Sequence, residues 1–301
     1  MYAIIGATGH IGSRVAELLL KRGARVRGIS RDVRHLASFV KRGGEPAMGD
    51  LRDGAFLAGA FRGAEAVFAM IPPNYTAQDF RAYQAEVGTS ITGALREAGV
   101  KWVVNLSSQG ADLPSGSGPI LGLRDQEQRL NGLEEINVLH LRPSYFMENL
   151  LMNIPLIDHQ GIAGSAVRGD LPFAMIACSD IAQRTAERLT HRDFSGKQIE
   201  DLLGERDLSL NEAIAVLGRR IGKPQLRYVQ FPAAEAEKGM VAMGVGADAA
   251  RLFIEMSQAL NEERFAVNRP RNVQNTTLTS IEQFAEVFVA AYDAAAPHHA
   301  A

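Results

Sequence analysis

The stretch "IIGATGHIGSRVAELLLKRG", Ile4 to Gly23, is the one on which the fold turns. β-Favouring residues run into Gly6, Gly9 and Gly12, spaced by three, and an amphipathic segment follows. Ile11, Val15, Leu18 and Leu19 recur on one face at helical period, and Gly23 stops the helix. Glycine permits a tight turn and a close backbone approach to a pyrophosphate. The helix N-terminus behind it offers unpaired N–H groups and the positive end of its dipole. A glycine triplet alone is weak, but between a first strand and a first helix it predicts a dinucleotide-phosphate turn over Gly6, Thr8, Gly9, His10, Ile11 and Gly12. A tight turn with no ligand is the plain alternative.

Outward from this stretch, short β-branched runs alternate with helical periods to about residue 150. Strands are expected at Tyr2–Ile5, Ala24–Ser30, "GGEPAMGD" ending at Asp50, "AEAVFAMI", Trp102–Ser108 and "NVLHLRP", with a long helix over Gln78–Gly99. Such alternation with short links predicts an α/β fold, a Rossmann doubly wound parallel sheet with helices on both faces. Beyond residue 150 the rhythm loosens. Helices are expected at "SDIAQRTAERL", at "SLNEAIAVLGRRIG" with a Ser209/Glu212 capping box, over Ala233–Asn261 with an interruption at Gly239–Gly246, and at "SIEQFAEVFVAAY". "QLRYVQF" reads as a strand. The division is residues 1–152 for an NADP-binding domain and 153–301 for a smaller, interleaved α/β substrate part.

Composition narrows the function classes. The chain has 301 residues, 46% hydrophobic and 22% charged, with a formal charge of −2, giving no reason to expect a nucleic-acid or membrane-surface partner. Cys178 is the only cysteine, so an internal disulfide is impossible and it reads as a small buried apolar group. His140 reads as a packed residue. His159 and His191 lack partners at metal spacing, His298 and His299 fall in a frayed tail, and no metal site is expected. No apolar run approaches the roughly 20 residues of a membrane helix, and no secretory leader is visible, so a cytoplasmic location is expected.

A site preferring NAD(H) places an acid at the end of strand two; this chain has Ser30 and Arg31. A guanidinium suits a 2′-phosphate, so NADP(H) is preferred over NAD(H). A solvated surface charge at Arg31, blunted by Asp32, is the alternative. Asp50, next to Leu51, could accept from the adenine amino group or serve as a helix N-cap.

Together "GATGHIG", "ISRD", "GDLRD", "LSSQGA" and "LRPSYFMENLL" resemble the NmrA-like group of atypical short-chain dehydrogenase/reductases, from residue 1 to about 290, where "TSIEQFAEVF" matches its closing helix. The resemblance implies either an NADPH-dependent reductase of quinones, azo compounds or dyes, or a non-catalytic NADP(H)-sensing regulator. Fully equipped short-chain dehydrogenases carry a Ser after strand five and a Tyr-x-x-x-Lys on the next helix. The tyrosine donates a proton and the lysine lowers its pKa while holding the ribose. Ser107 or Ser108 fills the serine position. The tyrosine and lysine positions fall on Ile120 and Arg124. Ile120 has no proton to give, and Arg124 keeps the charge for a ribose or phosphate contact but is a poor proton relay.

Direct hydride transfer to an acceptor that is already electrophilic survives this loss. Tyr145 and Tyr75, after strands six and four, are candidate proton donors as well as candidate packing residues. Met70, Ile71, Ser107, Arg124, Pro143 and Tyr145 are expected beside the cofactor. Asn74, Gln109, Phe146 and Met147 are expected around the acceptor, with Pro72, Pro73 and Leu150 as further apolar wall. Met240, Met243, Phe253 and Met256 could form a lid over a flat ligand, or simply be core. The implied partner is an aromatic or conjugated small molecule; a homo-oligomer or a regulatory protein partner stays open.

Overall fold

The computed structural model describes residues 1–31, 36–265 and 270–295. Asp32, His298 and His299 lie outside the described residues. Up to Pro143 the chain alternates β1 (Tyr2–Ile5), α1 (Gly12–Lys21), β2 (Val26–Ser30), α2 (Ala37–Lys41), β3 (Glu45–Met48), α3 (Gly54–Phe61), β4 (Ala66–Ala69), α4 (Phe80–Glu97), β5 (Trp102–Leu106), α5 (Ile120–Asn131) and β6 (Asn137–Pro143). There follow β7 (Tyr145–Phe146), a 3-10 helix (Met147–Asn153), α6 (Ile154–Gln160), β8 (Ile162–Ser165), β9 (Phe173–Ile176), α7 (Cys178–His191) and β10 (Lys197–Leu202). The last elements are β11 (Asp207–Leu208), α8 (Leu210–Arg220), β12 (Arg227–Gln230), α9 (Ala233–Ala242), α10 (Ala247–Asn261) and α11 (Ile281–Ala295).

Seven parallel strands form the central sheet in the order β10-β6-β5-β4-β1-β2-β3. This is the expected doubly wound sheet, and strand order reverses between β1 and β4. β1 and β4 are buried at every residue because both faces of the sheet are covered. Alternate residues serve opposite layers. Ile4, Phe68, Val104 and Leu139 pack with Val15 and Leu19 of α1 and Ile181 of α7. Ala3, Ile5, Val67, Val103 and Val138 pack with Leu57 of α3 and Val87 and Ile91 of α4.

The chain returns to this sheet after residue 152, where α7 lies against α1 and β10 pairs with β6. A cut at residue 152 therefore does not separate two contiguous bodies. A second core gathers the 3-10 helix, α6, α8 and α11 around Met147, Ile214, Phe284 and Phe288. Two small sheets, β11-β9-β7 and β12-β8, flank it. The helix expected over Ala233–Asn261 is two helices, broken at 243–246, where Gly244 takes φ +93°. Among the described residues, no helix is long and apolar enough to cross a membrane.

Candidate functional site

Each glycine of the opening turn has its own reason. Gly6 sits at φ +71°, which side-chain-bearing residues rarely adopt. A Cβ on Gly12 would lie 2.2 Å from the Gly6 carbonyl oxygen, so only glycine lets α1 start this close to β1. A Cβ on Gly9 would meet nothing nearer than the Gly6 oxygen at 3.4 Å, leaving open space beside the backbone. The first turn of α1 carries no acidic residue and no side-chain cap. These are the features a pyrophosphate needs: close access, unfilled N–H groups and the positive dipole end. The turn fits that group.

At the neighbouring strand end, the Thr8 and Ser30 hydroxyls lie 3.3 Å apart, and exposed Arg31 follows. Asp50 is exposed and does not cap α3. Its carboxylate accepts from the Arg52 backbone N–H at 2.9 Å and from the Arg52 guanidinium at 2.6 Å, and these bonds hold its pKa below the usual carboxylate range. The N-cap of α3 is Asp53, which accepts from Phe56 N. Leu51 is buried in the sheet core and His10 is exposed.

Past the turn lies a cavity of about 460 Å³ at the carboxyl ends of β4, β5 and β6. Met70 joins the two, since it lines the cavity and its sulfur would stand 2.8 Å from a Cβ on Gly6. The floor holds Ile71, Leu106, Ser107, Ser144 and Tyr145, with Ile120 and Leu123 beside them. The second part supplies Phe173, Phe253, Met256 and Leu260. Two aromatic groups stand in the walls: Tyr145 against Phe173 with ring centres 5.3 Å apart, and Tyr75 against Phe253 at 5.7 Å.

Not every expected residue arrives. Tyr145, Tyr75, Ser107, Gln109, Phe146, Phe253 and Met256 line the cavity. Met147 is buried in the second core, and Pro143 is buried at the end of β6. Met240 and Met243 are outside the lining, and Met243 is 62% exposed, so α10 covers the cavity and α9 does not. Asn74 turns back to accept from Thr76 Oγ1 at 3.0 Å, and Arg124 donates to the backbone oxygen of Asp112 at 3.3 Å. Neither reaches the cavity lining.

Burial pushes the Tyr145 and Tyr75 hydroxyls above their ordinary pKa, so both are protonated at neutral pH. Ser107 cannot act as an acid toward the cavity. It donates to Glu127 Oε1 at 2.5 Å, and Glu127 is held by Arg142 through Nε at 2.9 Å and Nη2 at 2.6 Å. Glu127 stands in none of the motifs read from the sequence, and Arg142 stands in "LRPSYFMENLL" with no role assigned to it. The available signal was Glu127 seven residues after Ile120, on the same face of α5.

This fold and crevice define an α/β protein of the Rossmann-like class. The chain belongs to the NmrA-like family, whose model matches residues 2–285. It is 28% identical over 301 residues to the NAD(P)H azoreductase of Xenophilus azovorans, covering 98% of this chain and 100% of that protein. The fold matches an NADPH complex of quinone oxidoreductase QOR2 from Escherichia coli at TM-score 0.74 and 22% identity, over 95% of this chain and 99% of the other. It also matches the Citrobacter sp. triphenylmethane reductase complexed with NADP(H), at TM-score 0.76 and 19% identity, over 96% and 100%.

Proposed function

We propose that this protein is an NADPH-dependent reductase of quinone-like, azo or other conjugated acceptors, working by direct hydride transfer without a Tyr/Lys pair. The observation that carries the reading is the continuity, through Met70, of a phosphate-ready glycine turn with an aromatic-walled cavity at the switch point of the sheet. Bound NADPH would supply a hydride to the acceptor. The chain's residues hold the acceptor between the Tyr145/Phe173 and Tyr75/Phe253 groups. The proton that completes reduction comes from water or from a protonated tyrosine hydroxyl, Tyr145 or Tyr75.

The names of the azoreductase, quinone and dye-reductase relatives support this acceptor class. Arg31, exposed beside Ser30, supports NADP(H) over NAD(H) through its fit to a 2′-phosphate. In this reading the sheet holds the dinucleotide, and β7, β9 and α10 shape the acceptor side. Ile120 at the usual proton-donor position favours one second reading, an NADP(H)-sensing regulator that binds without turnover. Purified protein should consume NADPH with a panel of quinones and azo dyes and not without them. Tight NADPH binding with no turnover on that panel selects the regulator.

A further inference from the structure

Asp248 lies outside the lining of the cavity and outside the glycine turn, yet it ties together two of the cavity's walls. It is the second residue of α10, and its side chain is 25% exposed. Its Oδ2 accepts from Phe80 N, the first amide of α4, at 2.9 Å, and its Oδ1 accepts from the Arg251 guanidinium at 2.8 Å. The carboxylate thus stands at two helix N-termini at once, that of α4 and that of its own helix, and both dipoles favour its charge. α4 already has a cap of its own, Asp79, which accepts from Ala82 N at 2.8 Å. A second bond runs beside the first, from Gly246 N to Tyr75 O at 2.7 Å. The apolar cluster at this end of α10 is small: Phe80, Ala249 and Leu252, with Val245 against them. An element held by so few apolar contacts opens locally at low cost, so the two polar bonds weigh heavily in where it rests.

What these bonds fasten is the acceptor wall. α10 brings Phe253, Met256 and Leu260 to the cavity, and the segment after β4 brings Tyr75 and Phe80. The Tyr75 ring stands 5.7 Å from Phe253 and 6.5 Å from Phe80, so it bridges the two fastened pieces. We infer that Asp248 is a specificity-determining positioning residue: by fastening α10 to the start of α4 it fixes the Tyr75/Phe253 wall and so excludes acceptors with bulk beside the reacting ring. The inference rests on the reductase reading above and adds to it the device that sets acceptor width. A cavity of about 460 Å³ is near the small end of ligand pockets, so a modest shift of this wall changes what fits.

The test compares turnover of benzoquinone and of a di-tert-butylbenzoquinone by the whole protein with saturating NADPH. The readout is the ratio of kcat/KM for the bulky quinone to that for the plain one. The same two quinones serve every variant, so their intrinsic reactivities cancel, as does any loss of folded protein. Asp248→Ala should raise the ratio about fivefold. Gly246→Pro should raise it too, since proline fits the φ of −61° there and deletes the N–H. Asp248→Asn, whose amide oxygen still accepts from Phe80 N, should stay within about twofold of wild type. NADPH affinity, read by calorimetry, should be unchanged in all three. An unchanged ratio in whichever of Asp248→Ala and Gly246→Pro folds overturns the inference, and failure of both to fold overturns it as well. An Asp248→Asn ratio that matches that of Asp248→Ala removes the bond to Phe80 N as its cause and overturns it too. Wild-type protein that binds NADPH and turns over neither quinone overturns the reading beneath, and the inference with it.

Discussion

The glycine turn and the aromatic cavity meet at Met70, yet they are made of different material. The turn is backbone: its shape depends on a positive φ at Gly6 and on the absence of a Cβ at Gly12. The cavity is side chain: Tyr75 after β4, Phe146 on β7, Phe173 on β9, and Phe253 and Met256 on α10 reach it, and each can be exchanged without breaking the backbone. Backbone-made sites tolerate almost no substitution, whereas side-chain-made sites drift in specificity. On this view the cofactor end is fixed and the acceptor end is adjustable.

The sharpest way to break that contrast is Gly12→Ala. Its methyl would collide with the Gly6 oxygen, and NADPH affinity is expected to fall about a thousandfold, as read by calorimetry. Near-normal affinity would mean that the turn is as adaptable as the cavity.

The sheet beneath the turn carries its own sensitivity, to acid. His140 lies buried in β6, with Asn105 at 3.1 Å and Asn131 at 3.0 Å, and burial pushes its pKa down to about 4. Between pH 6.5 and 4 the unfolded chain binds the proton and the folded chain does not, so stability falls as pH drops through that window. The loss from this group totals about 3 kcal/mol. Urea unfolding should show a shallower pH dependence for His140→Asn than for wild type; parallel curves would contradict it.

Much of the strand, glycine turn and helix at the start of the chain was legible in the sequence, because these elements are local and their spacing is rigid. The second part was less so. β10 reads "KQIEDL", a charged run with no apolar alternation, because it is an edge strand whose Glu200 serves Arg184 and Arg188 of α7. β7 and β11 are two residues each and leave no period to find. The exclusion of Met240 and Met243 could not be read either, since the break at Gly244 sets which helix faces the cavity. Glu127 and Arg142 are 15 residues apart and meet only because α5 packs beside β6.

Two smaller substitutions sharpen the contrast from either end. Arg31→Ala should weaken NADPH about 30-fold while changing NADH little, measured by parallel titrations; equal weakening would remove Arg31 from 2′-phosphate recognition. Phe253→Ala should raise the acceptor KM about tenfold, by opening the wall it shares with Tyr75, and leave NADPH affinity unchanged. A change in NADPH affinity instead would place that wall at the cofactor end.

A single-turnover experiment addresses the central claim most directly: protein saturated with one equivalent of NADPH is mixed with one equivalent of a benzoquinone, and the reduced-nicotinamide absorbance is followed. One-for-one loss of NADPH with formation of hydroquinone, faster than without protein, is the outcome expected of a glycine turn that delivers hydride into the aromatic cavity. NADPH that binds and then persists beside the quinone would contradict it.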